Sequence, residues 1–275
     1  MEAVSYTAQW TAAARAVESE RTEGAMFTDD LARPLAAPRG FELLDKYGGG
    51  GLLPYIAIRT KYLDDSIEAV LAEGDIRQVV FVAAGMDTRA HRLTWPEGTF
   101  VYEVDHAGLI EEKAARLNTL GAQARVERRP VPADLAGDWL PLLAQAGHAS
   151  DAPTLWVVEG LFFFLTEEQA KHVLHTLGRV SAPGSRLATD MVNKQMLRSP
   201  FNQTFLRALR EDGTPWVFGT DEPEEFLSAG GWQSLEVKQP GDPGAGEHRW
   251  PYAVQPRDRR GVPRSWLIRA ERVNS

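Results

Sequence analysis

The strongest constraint on this chain's fold is an alternation along its middle. Apolar, β-rich runs at Val79 to Ala84, Phe100 to Val104, Arg125 to Val131, Leu155 to Val158 and Arg186 to Met191 are separated, in most cases, by stretches of helical periodicity. Strands that are apolar along their whole length leave no face for water, so the pattern predicts a parallel sheet covered on both sides by helices. Two further β-like runs, Gln233 to Lys238 and Ser265 to Ala270, bring the expected sheet to seven strands. At 275 residues the chain is long enough for one such α/β domain with a helical attachment.

The attachment is expected at the N-terminal end. From Ser5 to about Leu44 the pattern is helical and Ala-rich, broken at Gly24 and restarted behind Asp29 and Asp30, so residues 1–50 read as a helical cap and residues 51–275 as the core. Gly48 to Gly51 follow no strand and read as a flexible joint. Pro54 then opens a helix whose apolar positions Ile56, Leu63, Ile67 and Val70 share one face, with Gly74 as its stop. Thr166 and Gln169 form a capping box for another helix. Beyond Asp190 the pattern loosens into lid-like insertions: a helix around Gln195 to Glu211, a short one near Glu222 to Ala229, and a long loop over Gln239 to Pro263.

Charge and composition exclude several classes of partner. A formal charge of -8 is the wrong sign for phosphate backbones or anionic lipid, so neither nucleic acid nor a membrane is expected as a partner. No run approaches the ~20 apolar residues of a membrane span. The opening residues lack a secretion signal, and the expected location is cytoplasmic. Cysteine is absent, which rules out disulfides and thiolate chemistry, and no metal site is expected.

In an open parallel sheet, ligands sit beyond the carboxyl ends of the strands, so the residues just after each β-run carry the functional reading. Gly85 follows the first run, and Asp87 shares its turn. Asp105 ends the second run twenty residues beyond Gly85, a separation at which an acid can accept hydrogen bonds from ribose hydroxyls. Asp134 and Glu159 follow the third and fourth runs, so four acidic strand ends surround one crevice. A dinucleotide pyrophosphate wants a G-x-G-x-x-G turn and few carboxylates, which disfavours NAD. S-adenosylmethionine carries two cationic centres, a ribose and no phosphate, and fits an acidic rim. Its carboxylate needs a donor, for which Arg59 and Arg15 are the candidates. The residues leave plainer roles open: Asp105 and Asp134 as helix or turn caps, Glu159 as a solvated loop acid, and Arg59 in an ion pair with Asp64 or Glu68.

Seven blocks, in order, carry a resemblance: TAQWTAAARAVESER, FTDDLA, IAIRTKYLDD, VVFVAAGMDTRAHRL, VYEVDHAGLIEEK, ADL and VVEGLFFFLTEEQ. Over roughly the first 190 residues the chain resembles the leucine carboxyl methyltransferase family, in particular its bacterial branch of natural-product methyltransferases. The resemblance implies a Rossmann-like class I methyltransferase fold that uses S-adenosylmethionine to methylate a carboxylate or phenol of a small molecule. It implies that Arg59 binds the cofactor carboxylate, that Ala84 and Gly85 pass beneath the methionine portion, and that Asp105 holds the ribose. By the same resemblance Asp134 and Leu135 line the adenine pocket and Glu159 completes the shell, with Arg15 a looser transfer and His106 and Gly160 adjoining these positions.

Methyl transfer from a sulfonium is in-line displacement, where positioning supplies much of the rate, so no catalytic acid or base is assigned. Tyr6, Trp10, Phe162, Phe163, Phe164 and Tyr252 are candidate walls of an acceptor pocket, and Arg89, Arg198 and Arg249 candidate partners for an anionic acceptor. A protein C-terminal carboxylate as acceptor, and a non-catalytic binder of the same cofactor, are the alternative functions.

Overall fold

The computed structural model describes residues 3–273, with side chains from Thr7 onward. The chain begins with helices α1 (Ala3–Ser19), α2 (Ala32–Tyr47) and α3 (Leu52–Glu73). It continues through β1 (Gln78–Val82), α4 (Arg89–Arg92), β2 (Phe100–Asp105), α5 (Ala107–Thr119), β3 (Glu127–Pro132), α6 (Leu140–Gln145) and β4 (Thr154–Val158). After a 3-10 turn at Phe162–Phe164 come α7 (Glu167–Arg179), β5 (Arg186–Val192), α8 (Lys194–Arg198), α9 (Gln203–Glu211), α10 (Pro223–Ala229), β6 (Trp232–Lys238) and β7 (Ser265–Arg272).

The seven strands form one sheet in the order β3-β2-β1-β4-β5-β7-β6. The first five pair in parallel, and β7 runs antiparallel to both β5 and β6. Every residue of β1 and β4 is buried, as expected for central strands covered on both faces. Alternation within them divides the core. Val79, Phe81, Val101, Leu155 and Val157 pack against the side that carries α1, α2, α3 and α5. Val80, Val82, Tyr102, Trp156 and Val158 pack against α6, α7 and α10. This mostly parallel, seven-stranded sheet with helices on both faces is the architecture that the resemblance implied.

Local departures from the expected elements have local causes. β1 stops at Val82 rather than Ala84 because Ala83 turns to φ 59, outside the extended region. The expected helix over Gln195 to Glu211 is broken, since Pro200 forces Ser199 into an extended conformation (φ -59, ψ 129) and α9 starts afresh at Gln203. Pro38 similarly kinks α2 at Ala37. The Thr166–Gln169 capping box is formed with both of its hydrogen bonds. Gly48 to Gly51, expected as a joint, make a hydrogen-bonded turn in which Gly48 closes α2 and the Gly51 carbonyl starts α3.

One ion cluster ties α5 to the sheet two residues before Asp105. Glu103 on β2 accepts from Lys113 of α5 and from Arg128 of β3, each at 2.7 Å, and all but Arg128 are about 1% exposed. Burial alone would raise the Glu103 carboxyl, but Lys113 and then Arg128 outweigh it and hold it at about 2. Removing one member strands a buried charge, so Lys113→Met is expected to cost about 3 kcal/mol in urea unfolding; a loss below ~0.5 kcal/mol would mean that Arg128 alone satisfies the carboxylate.

Candidate functional site

The order of the sheet reverses at β1, whose neighbours β2 and β4 lead away in opposite directions, and the crevice at that reversal opens at the carboxyl ends of the strands. A cavity of about 340 Å³ lies there, walled by the tips of β1, β2, β3 and β4 and covered by α1 and α3. Arg15, Arg59, Ala84, Gly85, Asp105, His106, Asp134, Leu135, Glu159 and Gly160 all line it. Residues spread over more than a hundred positions in the chain therefore meet in one volume.

Asp105 is the best-prepared group in this wall. Its Oδ2 accepts from the Gly85 N–H and its Oδ1 from the His106 N–H, both at 2.7 Å. The residue is 5% exposed and, among the described residues, has no cation within ion-pair range, so burial raises its carboxyl above the usual value, only partly offset by those two N–H donors. Each oxygen keeps a lone pair that no protein group fills, and the carboxylate is thus set to accept two more donors. The turn that supplies the Gly85 N–H is strained. Ala83 (φ 59) and Gly85 (φ 51) both lie in the left-handed region, a cost that only glycine escapes and that clusters at ligand sites.

Beneath the cavity runs a chain of buried ion pairs. Arg15 donates to Asp29 (3.0 Å) and to the Met86 carbonyl (2.6 Å), while Arg92 lies 3.9 Å from Asp29 and grips both oxygens of Asp64. Arg89, 1% exposed, joins Asp64 (2.6 Å), Asp87 and Glu159 (2.7 Å). Glu159 pairs in turn with Arg59 at 2.9 Å, and Arg59 with Asp190 at 3.1 Å. Asp190 is fully buried at the end of β5 and also accepts from the Tyr55 hydroxyl (2.6 Å) and the Gly160 N–H (2.7 Å). Burial would lift the Glu159 carboxyl, but Arg89 and then Arg59 hold it at about 2. Gly160 (φ +68) is pressed against this chain: a Cβ there would lie 3.2 Å from Nη1 of Arg59.

Several expected roles change on this geometry. Arg59 is not paired with Asp64 or Glu68 as its plainer alternative held; it spans Glu159 and Asp190. Asp134 is exposed and caps the turn at Ala136 through Oδ1 (2.9 Å) while still facing the cavity. Trp10, Phe163 and Phe164 stand in the wall. Phe162 does not: it is fully buried on the opposite side of the sheet, edge-on to Phe226 at 5.9 Å. Tyr252 lines a second cavity instead, and the side chain of Tyr6 lies outside the described residues. Of the cations suggested for an anionic acceptor, Arg89 is consumed by three carboxylates and Arg249 by Glu18, and Arg198 is an exposed residue outside the wall.

The sequence reading missed Tyr55, Asp190 and Trp216, all of which touch or support the cavity. Asp190 carried a signal, being a fifth acid near a strand end, and Tyr55 sits four residues before Arg59 on the same helical face. Nothing in the sequence links Trp216 to this wall. Among the described residues no cluster of His, Asp and Glu could hold a metal ion, and no helix is long and apolar enough to cross a membrane.

Comparison with known proteins bears on this site. The model of the leucine carboxyl methyltransferase family matches residues 8–178, more than half of the chain. A relative from Streptomyces coelicolor is 38% identical over 240 residues, covering 83% of this chain and 82% of its own length. One from Mycobacterium avium is 39% identical over 209 residues, covering 68% of this chain and 66% of its own. Both carry the name "putative S-adenosyl-L-methionine-dependent methyltransferase". A solved Thermobifida fusca structure, described as that of a "putative methyltransferase", superimposes with a TM-score of 0.63 over 100% of this chain and 95% of the other at 17% identity, a likeness of fold.

The depressed Glu159 carboxyl gives the ion chain a definite acid response. A carboxyl that titrates lower in the folded state contributes stability that is complete above its unfolded value, near 4.5, and is lost as pH falls towards about 2. The unfolding free energy should therefore drop over that window, and Glu159→Gln should flatten the slope; an unchanged slope would remove Glu159 from the network.

Proposed function

The chain belongs to the leucine carboxyl methyltransferase family, and from that premise we propose that it is an S-adenosylmethionine-dependent O-methyltransferase acting on a carboxylate, or a phenol, of a small molecule. The observation that carries this reading is the charge of the cavity. Its wall holds four carboxylates, Asp87, Asp105, Asp134 and Glu159, against two guanidiniums, Arg15 and Arg59; Arg89 behind the wall neutralises Asp87 and Glu159, and Asp105 and Asp134 have no cation paired with them among the described residues. A ligand with an ammonium, a sulfonium and a single carboxylate complements such a wall, whereas a pyrophosphate does not.

The donor set fits the cofactor group by group. Asp105, buried without a cation and with spare acceptor capacity, suits a pair of ribose hydroxyls. Leu135 and Asp134 offer an apolar edge and an acceptor to an adenine, and Arg59 and Arg15 face the cavity as donors to a carboxylate. The left-handed turn at Ala83 and Gly85 suits a close approach of backbone to the methionine portion of a bound cofactor. When bound, S-adenosylmethionine supplies a methyl group already activated for displacement.

The protein's own part is to hold and to exclude. Trp10, Phe163, Phe164 and Trp216 present apolar surface at the wall, which removes water from the acceptor and aims it. A carboxylate acceptor arrives ionised at neutral pH and asks for no base. The one phenol in the wall among the described residues, Tyr55, is pushed well above its ordinary value by burial and by Asp190, so it keeps its proton and does not serve as one. Both points favour a carboxylate over a phenol.

Two measurements test this reading. Asp105→Ala should weaken S-adenosylhomocysteine by about 1 to 3 kcal/mol in calorimetry, through lost hydrogen bonds to a charged acceptor. Because burial raises the Asp105 carboxyl, affinity in the parent should fall as pH drops through that raised value, and Asp105→Asn should lose this dependence. Unaltered affinity in Asp105→Ala would take the ribose away from Asp105. Transfer of a labelled methyl group to any member of a panel of aromatic and aliphatic acids supports the enzyme, while tight cofactor binding without transfer to acids, phenols or C-terminal peptides favours a regulatory binder.

A further inference from the structure

A second cavity of about 680 Å³, twice the volume of the first, adjoins it across a wall made of Leu52, Tyr55 and Trp216, which line both. Its sides come from the turn Gly48 to Gly51, the segment around α9, and the long loop that carries Trp250 and Tyr252. The lining is aromatic in large part, with Tyr47, Phe205, Trp250 and Tyr252, and Phe201 stands 94% exposed at its edge. Phe201 thus continues the apolar lining to the rim of the chamber.

The charge of this chamber is the reverse of its neighbour's. Among the described residues no Asp or Glu lines it, although the chain as a whole carries a formal charge of -8. Two cations do: Lys46 and Arg264. Lys46 is matched by Asp212 at 2.7 Å. Arg264 is 6% exposed and gives its terminal nitrogens to the carbonyls of Val262, Pro256 and Arg259, yet among the described residues no carboxylate pairs with it and its Nε has no partner. Its backbone is bolted to the end of β5, donating to Asn193 Oδ1 (2.9 Å) and accepting from the Asn193 N–H (3.0 Å), so the charge cannot easily swing into water. Burial, and then the charge of Arg257, push its guanidinium below the ordinary value. Asp221 and Asp258 offset that push only in part and neither pairs with the guanidinium directly, so a fixed, buried cation with no contacting carboxylate among the described residues favours an anion in the space beside it.

We propose that this chamber receives the body of the methyl acceptor, a bulky and largely apolar acid, and that Arg264 balances an anionic group of that molecule distinct from the oxygen that is methylated. The two groups are separate because Arg264 lines only the larger chamber, while the residues suited to the cofactor line only the smaller one. The inference rests on the methyltransferase reading of the adjoining cavity. It narrows the substrate class to aromatic or long-chain molecules with two acidic functions, either a diacid or a phenolic acid. An anchor that persists after methylation also leaves Tyr55 and Trp216 as the partition past which the reacting oxygen must reach.

The test uses the full chain saturated with S-adenosylhomocysteine and two fluorescent probes of similar shape, anionic 8-anilinonaphthalene-1-sulfonate and neutral N-phenyl-1-naphthylamine. Arg264→Gln should weaken the sulfonate at least fivefold and leave the neutral amine within twofold, with Arg264→Lys restoring most of the sulfonate affinity. A sulfonate affinity that is unchanged, or that falls only in step with the neutral probe, overturns the proposal. Should Arg264→Gln fail to fold, the parent protein decides: naphthalene-2-carboxylate must displace the neutral probe at least fivefold better than its methyl ester does, and equal displacement overturns the anion site. Binding of S-adenosylhomocysteine is read separately by calorimetry, so its absence in the parent defeats the methyltransferase reading, while a failed probe contrast with the cofactor product bound defeats only the chamber's assignment.

Discussion

The structure depends on the neutralisation of buried charge. Five carboxylates, Asp29, Asp64, Asp87, Glu159 and Asp190, and four guanidiniums, Arg15, Arg59, Arg89 and Arg92, form one connected series under the floor of the smaller cavity. Acids at the ends of buried strands are costly in a low-dielectric interior unless cations reach them. Here the cations come from α1, α3 and the short α4, which obliges those helices to lie across the strand tips. The same pairings that anchor the helices also wall the cavity, so binding site and packing cannot be separated. Asp105 is the exception that gives the site its purpose, a buried acid held by two N–H groups and left without a cation.

Much of this frame was legible from residue order. Central strands are apolar on both faces because both are covered, which made the runs at Val79, Phe100 and Leu155 plain, and acids immediately after such runs mark the rim of a crevice. Partner choice was not legible. That Arg59 meets Glu159 and Asp190 rather than acids on its own helix follows from how α3 crosses the sheet, which no local spacing encodes. The three adjacent phenylalanines make the same point. A 3-10 turn points Phe162 to the opposite core and Phe163 and Phe164 to the cavity, and composition cannot distinguish them. Tyr252 was expected in an acceptor wall and the four glycines as a joint; only the path of the chain brings them together at one wall, that of the larger cavity.

On the proposed reading the two cavities divide the work by charge. The smaller, with acids in excess, suits a cationic cofactor, and the larger, with no acid among its described lining residues, suits an anionic acceptor. Opposite potentials on the two sides of one aromatic partition keep each ligand in its own compartment and bring their reactive ends together at Tyr55 and Trp216. Chemistry of this kind asks for orientation and dryness more than for proton transfer, in keeping with a wall whose acids are already committed or kept for a ribose.

The most direct test of the central claim is a crystal structure of the chain soaked or grown with S-adenosylhomocysteine. The account requires both ribose hydroxyls within hydrogen-bond distance of the Asp105 carboxylate, with the ion series from Asp29 to Asp190 intact beneath it. A ligand seated elsewhere, or an Asp105 that bonds only to Gly85 and His106 while the cofactor product is bound, would contradict it.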